Sequence, residues 1–295
     1  MNLDVIYNMD CLDGMKDIPD KAIDMILCDL PYGTTENKWD SVIPIEPLWK
    51  QYNRIIKDNG AIVLTAQMPF SVDLINGNRK NFRYEWIWQK TRPAGYLNCR
   101  KMPLRSHEQV LVFYKELPTY NPYGVVDVRK FPLAPTKSSN YGKNADYFKE
   151  LAKQARGGDP RKVKLPDRFS SYEDMIKEYS YTNWPRDVIT FRNIQDRHPT
   201  AKPVELFEYF IRTYTNKGDI VLDNCMGGGG TTAISCMNAG RHYIGYELNK
   251  EYYEYSIQRI ESHVITVRNR LRQRSLDELD MPYSIEEEGE VDDDS

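Results

Sequence analysis

The sequence has few cysteines and histidines, no long apolar run and almost no net charge, and each shortage removes a class of protein. Cys11, Cys28, Cys99, Cys225 and Cys236 are odd in number and form no CxxC pair, which argues against a disulfide framework and against a zinc site. They are expected to be reduced, partly buried small apolar residues. No stretch approaches the ~18 apolar residues of a membrane span, and MNLDVIYNMDCLDG, at the start, has no basic segment leading into an apolar one. The expectation is a cytosolic chain with no membrane partner. With 40 Lys and Arg against 43 Asp and Glu in 295 residues, the formal charge is -3 and the total announces no polyanionic ligand.

The charge that is present is unevenly placed. From Arg79 to Arg168 there are 20 basic and 8 acidic residues, against 20 basic and 35 acidic elsewhere. Such a block fits either a solvated basic surface or contact with a polyanion, nucleic acid or a membrane surface. An apolar share of 40% with 12% aromatics builds a sizeable core in one large or two moderate domains.

Two segments read as α/β units. In the first, Asp4 to Tyr7 and Ala22 to Cys28 are strands, a helix spans about Pro47 to Ile56, Asn59-Gly60 stops it, and Ala61 to Thr65 is the next strand. Phe82 to Gln89 and Glu108 to Tyr114 add strands to a sheet expected to be parallel and covered by helices. From about 116 to 181 the chain is rich in Pro, Gly, Lys, Ser and Tyr without a long apolar period. The second unit has a helix over Pro203 to Tyr214, a strand over Asp219 to Asp223, a helix from Thr231 to Asn238, a strand over His242 to Tyr246 and a polar helix from Glu251 to about Arg274. Seven acidic residues follow from Glu286, a composition expected to be disordered.

Two loops carry chemistry. After the strand ending at Asp223 comes Asn224-Cys225-Met226 and four glycines, Gly227 to Gly230, then Thr231-Thr232 opening a helix. Glycines there let a ligand approach the backbone above a parallel strand; a flexible linker is the alternative. The spacing is neither GxGxxG nor GxxxxGK[ST]. Glu247, about twenty residues on, suits acceptance of hydrogen bonds from ribose hydroxyls, or is a surface carboxylate. The other loop, Asp29-Leu30-Pro31-Tyr32, follows an apolar strand. The Asp29 carboxylate and the Leu30 carbonyl are acceptors for an amino group, Tyr32 offers a face to a planar base, and Pro31 fixes the backbone between them. These parts suit a flipped nucleobase with an exocyclic amine, with a plain strand-ending turn as the alternative.

Together, Asp-Leu-Pro-Tyr, VLDNCMGGGGTT, HPTAKPVELF, and Thr34-Thr35 with Trp39-Asp40 resemble the N4/N6 amino-methyltransferases of DNA in their permuted, β-group order. The similarity covers about 1–115 and 182–262. It implies a Rossmann-like α/β fold, permuted, with a catalytic half (1–115), a basic target-recognition insertion (116–181), a cofactor half (182–275) and an acidic tail (276–295). It implies S-adenosyl-L-methionine as cofactor and double-stranded DNA as substrate. Residue by residue, Asp29, Leu30, Pro31 and Tyr32 match the catalytic tetrapeptide, and Asp223, Gly227, Gly229 and Thr231 the cofactor loop. Glu247 matches the ribose acid, Asp10 beside Cys11 the acid that meets the cofactor adenine, and Lys202 a residue near the methionine carboxylate. The family mostly has Pro at Leu30 and Thr at Gly230. Asp at the first tetrapeptide position is more like the adenine-N6 enzymes than the cytosine-N4 ones.

A basic face for DNA is expected from Arg92, Arg100, Lys101 and Arg105, with Lys90 beside them and Tyr96, Tyr120, Tyr123 and Tyr141 interleaved. His107 and the tyrosines at 252, 253 and 255 read as packing, while His198 draws interest from its neighbours. The alternatives to an adenine methyltransferase are a cytosine-N4 enzyme, an RNA base methyltransferase, a non-catalytic DNA-binding protein on the same fold, and a dinucleotide oxidoreductase. The family includes homodimers; nothing in the chain indicates a partner restriction nuclease.

Overall fold

The computed structural model describes residues 1–33, 41–122, 126–127, 181–182, 184–194, 201–226 and 229–279. Thr34, Thr35, Trp39, Asp40, Tyr123, Tyr141, His198 and Gly227, most of the 116–181 insertion and the acidic run after 279 lie outside the described residues. In chain order the elements are β1 (Val5–Tyr7), α1 (Cys11–Gly14), β2 (Ile23–Asp29), α2 (Ile45–Ile55), β3 (Ile56–Ala66), α3 (Phe70–Gly77), β4 (Phe82–Ala94) and β5 (Arg105–Phe113). There follow β6 (Val126–Asp127), β7 (Tyr181–Thr182), β8 (Val188–Phe191), α4 (Val204–Tyr214), β9 (Ile220–Asp223), α5 (Thr231–Ala239), β10 (His242–Tyr246) and α6 (Lys250–Leu279).

The chain divides into two compact units. One joins Met1–Thr119 to Val188–Ser295; the other is Tyr120–Asp187, in which β6 and β7 pair antiparallel. The first is built on an eight-stranded sheet in the order β1-β10-β9-β2-β3-β5-β4-β8. Its central strands carry continuous apolar runs, Met25–Cys28 in β2 and Ala61–Leu64 in β3, because both faces are covered there. In β2, Met25 and Leu27 face one core while Ile26 and Cys28 face the other; β3 divides Ala61 and Val63 from Ile62 and Leu64 in the same way. Helix α4 packs Leu206, Phe207, Phe210 and Ile211 on the first face. On the second, α2 packs Leu48, Trp49, Tyr52 and Ile55, a three-and-four spacing that places them on one stripe.

The sheet departs from the expected parallel arrangement at one strand. β5 runs antiparallel to both β3 and β4, and β4 pairs parallel with β8. β4 extends to Ala94 and β5 begins at Arg105, which leaves a connection too short for the crossover that a parallel neighbour needs. Asn59-Gly60 stops no helix; it lies inside β3, which starts directly after α2. A Cβ at Gly60 would sit 2.8 Å from the Asp24 carbonyl oxygen, so glycine is required there for close strand approach. Helix α3 and strand β8 have no counterpart among the sequence-based expectations.

The core on the α4 face contains a polar tie. Buried Trp86 donates its indole N–H to the Tyr214 hydroxyl at 2.7 Å, and the Tyr84 hydroxyl lies 2.9 Å from the same oxygen. Tyr214→Phe removes that acceptor and strands a buried donor, and urea unfolding is expected to show a loss of about 1–3 kcal/mol. Adding Trp86→Phe should recover part of it; additive losses would show that the two side chains are uncoupled.

Candidate active site

Parallel strands place their carboxyl ends on one edge of a sheet. Asp29 ends β2, Asp223 ends β9, Glu247 directly follows β10 and Asp10 follows β1 by three residues. β9 and β2 pair with each other, so the two halves of the sequence meet between Asp223 and Asp29. These four acids line one cavity of about 850 Å³, together with Cys11, Leu30, Pro31, Tyr32, Lys202 and Thr231. The expected catalytic and cofactor residues are thus brought together from both halves of the chain, with two exceptions. Gly227 is outside the described residues, and Gly229 packs away from the cavity. A Cβ on Gly229 (φ +76°) would lie 2.8 Å from the Tyr255 ring, and its carbonyl accepts a hydrogen bond from Arg259 at 2.8 Å. Gly229 and Gly230 (φ +68°) adopt left-handed backbone that lets the loop turn beneath α6 into α5.

Each acid is held differently. Both Asp223 oxygens serve its own loop, accepting from the Cys225 amide at 3.0 Å and from the Thr232 hydroxyl. Burial raises its pKa to about 6. Asp10 caps α1 through the Leu12 amide at 2.7 Å. Glu247 accepts from the Asn249 amide at 2.6 Å, and burial pushes its carboxyl up to about 7.

The Asp29–Tyr32 loop is bound into a charged network. Asp29 pairs across the ladder with Thr65 of β3, which donates its hydroxyl to Asp29 Oδ1. The Tyr32 hydroxyl lies 2.9 Å from both Asp29 Oδ1 and Thr65 Oγ1. Lys202 Nζ is 2.6 Å from Asp29 Oδ2 and 3.3 Å from Glu108 Oε2, and Lys90 pairs with Glu108 Oε1. Lys202 is only 5% exposed and Glu108 6%. Burial disfavours both charges, but the opposite charges outweigh it: the Lys202 pKa lies above its ordinary value and that of Glu108 below. Tyr32 is raised by burial and then by the Asp29 and Glu108 charges, so its hydroxyl keeps its proton. Its ring packs on Phe70 with centroids 5.5 Å apart.

Several positions differ from the sequence reading. Lys202, expected near the methionine carboxylate of the cofactor, stands on the Asp29 carboxylate. Lys90, counted with the basic surface, is a buried ion-pair partner because it shares a sheet face with Trp88, opposite Glu108. Tyr252, read as packing, lines the cavity; His107 is exposed on β5. Thr65, Trp88 and Glu108 are site residues that sequence reasoning missed, although a glutamate opening the apolar run EQVLVF is a legible signal. Arg105 lines the cavity and donates to Gln67 at 2.9 Å, while Arg92 is exposed on β4, and Arg100 and Lys101 on the β4–β5 connection. Cys99 is exposed and the other cysteines are buried or half-buried. Among the described residues there is no metal-ligating cluster, and no helix is long and apolar enough to cross a membrane.

The model of the N6/N4 methylase family, described as DNA methylase, matches residues 23–258. The chain belongs to this family. Among relatives of this DNA methylase is the orphan methyltransferase M.BamHII of Bacillus amyloliquefaciens, 38% identical over 85% of this chain and 93% of its own length. Others are the type II methyltransferase M.BglII of Bacillus subtilis, 28% identical over 87% and 69% respectively, and the DNA adenine methyltransferase YhdJ of Escherichia coli (strain K12), 24% identical over 87% and 82%. Among solved structures, an M1.HpyAVI–SAM complex covers 86% of this chain and 98% of its own at 21% identity and a TM-score of 0.53. The cytosine-N4-specific PvuII DNA methyltransferase reaches 0.56 at 17% identity, covering 86% and 85%. These likenesses agree with the methyltransferase fold in both halves of the sheet.

Removing the methylase's central ammonium leaves two facing carboxylates with one neutraliser fewer. Lys202→Met is expected to lower unfolding free energy by about 3 kcal/mol. Glu108→Gln in the same chain should recover part of that in chemical denaturation; full additivity would mean that the pair is not coupled.

Proposed function

We propose that this DNA methylase transfers the methyl group of S-adenosyl-L-methionine to the N6 amine of an adenine flipped out of double-stranded DNA. The observation that carries the reading is the convergence of Asp29, Tyr32 and Lys202 with Asp10, Asp223 and Glu247 on one cavity. Its chemistry fits the cofactor: a cleft with acidic acceptors suits a cationic ligand that bears hydroxyl groups. Glu247 would hold the ribose hydroxyls and Asp10 the adenine end, while Asp223 and Thr231 shape the loop between them. When bound, the cofactor supplies an electrophilic methyl group on a sulfonium.

The chain's own residues do the rest. An adenine amine is a weak nucleophile because its lone pair is conjugated with the ring. Acceptors at Asp29 and at the Leu30 carbonyl, which hold its two hydrogens, favour a tetrahedral nitrogen with its lone pair aimed along the transfer path. Lys202 holds Asp29 Oδ2, and Oδ1, which accepts the Thr65 hydroxyl, has a second lone pair for the amine. The Tyr32 hydroxyl has one proton for two acceptors, so it releases Oδ1 while keeping Thr65, and its ring flanks the base. Positioning of this kind contributes up to ~7–11 kcal/mol.

Asp29→Ala is expected to abolish transfer of labelled methyl groups into DNA while calorimetry still shows cofactor binding. Unchanged transfer would refute the role of Asp29. Nucleoside mass spectrometry of treated DNA should show N6-methyladenine, and N4-methylcytosine alone would reassign the base. Long-read sequencing of an expressing host reports the recognition site. A pH dependence follows from Glu247: ribose hydroxyls donate to the carboxylate, so cofactor affinity should rise from pH 6 to 8, through its pKa of about 7. Glu247→Gln should flatten that rise in a titration series, and an unchanged slope would place the titrating group elsewhere.

A further inference from the structure

The connection from β4 to β5 presents a combination of side chains that the transfer chemistry does not use. At its tip Leu97 is fully exposed, Tyr96 is 64% and Met102 55% exposed. Gly95, at φ +94°, turns the chain into a short 3-10 turn over Tyr96–Asn98, and a Cβ there would meet nothing within 4 Å. From Thr91 to His107 there are four Lys or Arg residues, Arg92, Arg100, Lys101 and Arg105, and no Asp or Glu. Ala94 and Arg105, paired across the base of the connection, line the cavity that holds Asp29. Leu97 is three residues past Ala94, within about 10 Å of the cavity rim along the chain.

Exposed apolar side chains at a loop tip cost solvation unless something covers them. A rim of cations without a carboxylate selects a polyanion as that cover. An apolar tip between the cations selects the base stack beyond the phosphates, since one stacking step of ~3.4 Å accepts a wedge of this size. We infer that the 96–97 tip enters the duplex beside the target nucleotide and fills the space the flipped base vacates, while Arg100 and Lys101 grip the flanking phosphates. The tip acts by shifting the pairing equilibrium; it does not touch the reacting atoms. This rests on the DNA reading proposed above.

The test uses the full-length protein, Leu97→Ala and Tyr96→Ala variants, and a duplex bearing the recognition site found by sequencing. A second duplex is abasic opposite the methylated base, so that no pair need be broken. On the paired duplex Leu97→Ala should lower kcat by about tenfold, and on the abasic one it should come within about twofold of the wild type. A structural defect would depress both equally. Equal loss on both duplexes, or wild-type kcat on the paired one, overturns the wedge, including the case in which Leu97→Ala changes only the association of the chain with a second copy. Absence of transfer by the wild-type protein on either duplex overturns the proposed function, and the wedge with it.

Discussion

The site depends on one ammonium group. At 5% exposure Lys202 cannot keep its charge alone, and the surrounding architecture supplies its counter-charges. Asp29 comes from the end of β2 and Glu108 from β5, two strands further along the sheet, while Lys90 on β4 balances the second Glu108 oxygen. The reversal of β5 is what makes this possible. Glu108 lies near the start of that strand, and only in a strand running against its neighbours does the start lie on the edge where β2, β3 and β4 end. Two acids and two bases then close a network with little net charge in a poorly solvated place. The lysine is brought in from the segment before α4, so the early and late parts of the sequence are joined at the carboxylate on which the proposed chemistry turns.

The side of the cavity lined by Asp223 and Glu247 is balanced differently. Asp223 and Glu247 have no lysine of their own, and burial carries their pKa values to about 6 and 7. Because these lie above the unfolded values, the contribution of each group to stability is complete below pH ~4 and is lost as pH rises through the folded value. At neutral pH these two carboxyls therefore work against folding, and a group that donates hydrogen bonds to Glu247 offsets the loss. One half of the cleft is neutralised by the protein itself; the Asp223–Glu247 half is not, so hydrogen-bond donors have most to gain there.

Most strands and helices were legible because each is decided by local pattern. The central strands β2 and β3 carry continuous apolar runs, Met25–Cys28 and Ala61–Leu64, and α2 and α4 repeat their apolar residues at three and four. Both functional loops were legible for the same reason, since each follows an apolar strand and carries an unusual residue set. What the sequence withheld depends on pairing. Nothing local states that β5 runs backwards, and without that reversal Glu108 and Lys90 read as ordinary strand and surface charges. Gly60 misled because a glycine after a helix commonly ends it, whereas here it answers a carbonyl on the neighbouring strand. Tyr252 sits one turn into α6, and its place in the cavity wall follows from how that helix leaves β10 rather than from its own neighbours in sequence.

The same dependence on register reshapes the basic block. Counted by sequence, Lys90, Arg92, Arg100, Lys101 and Arg105 form one positive stretch. In the sheet, Lys90 shares the face of Trp88 and is consumed by Glu108, and Arg105 reaches the cavity rim. Arg92, Arg100 and Lys101 remain exposed. A charge that neutralises a buried carboxylate adds nothing to long-range attraction for phosphate, whereas one on the connecting turn acts at nearly full strength. Of these five charges, the ones free to act at long range therefore lie on β4 and the β4–β5 turn, next to the cavity that Ala94 and Arg105 line.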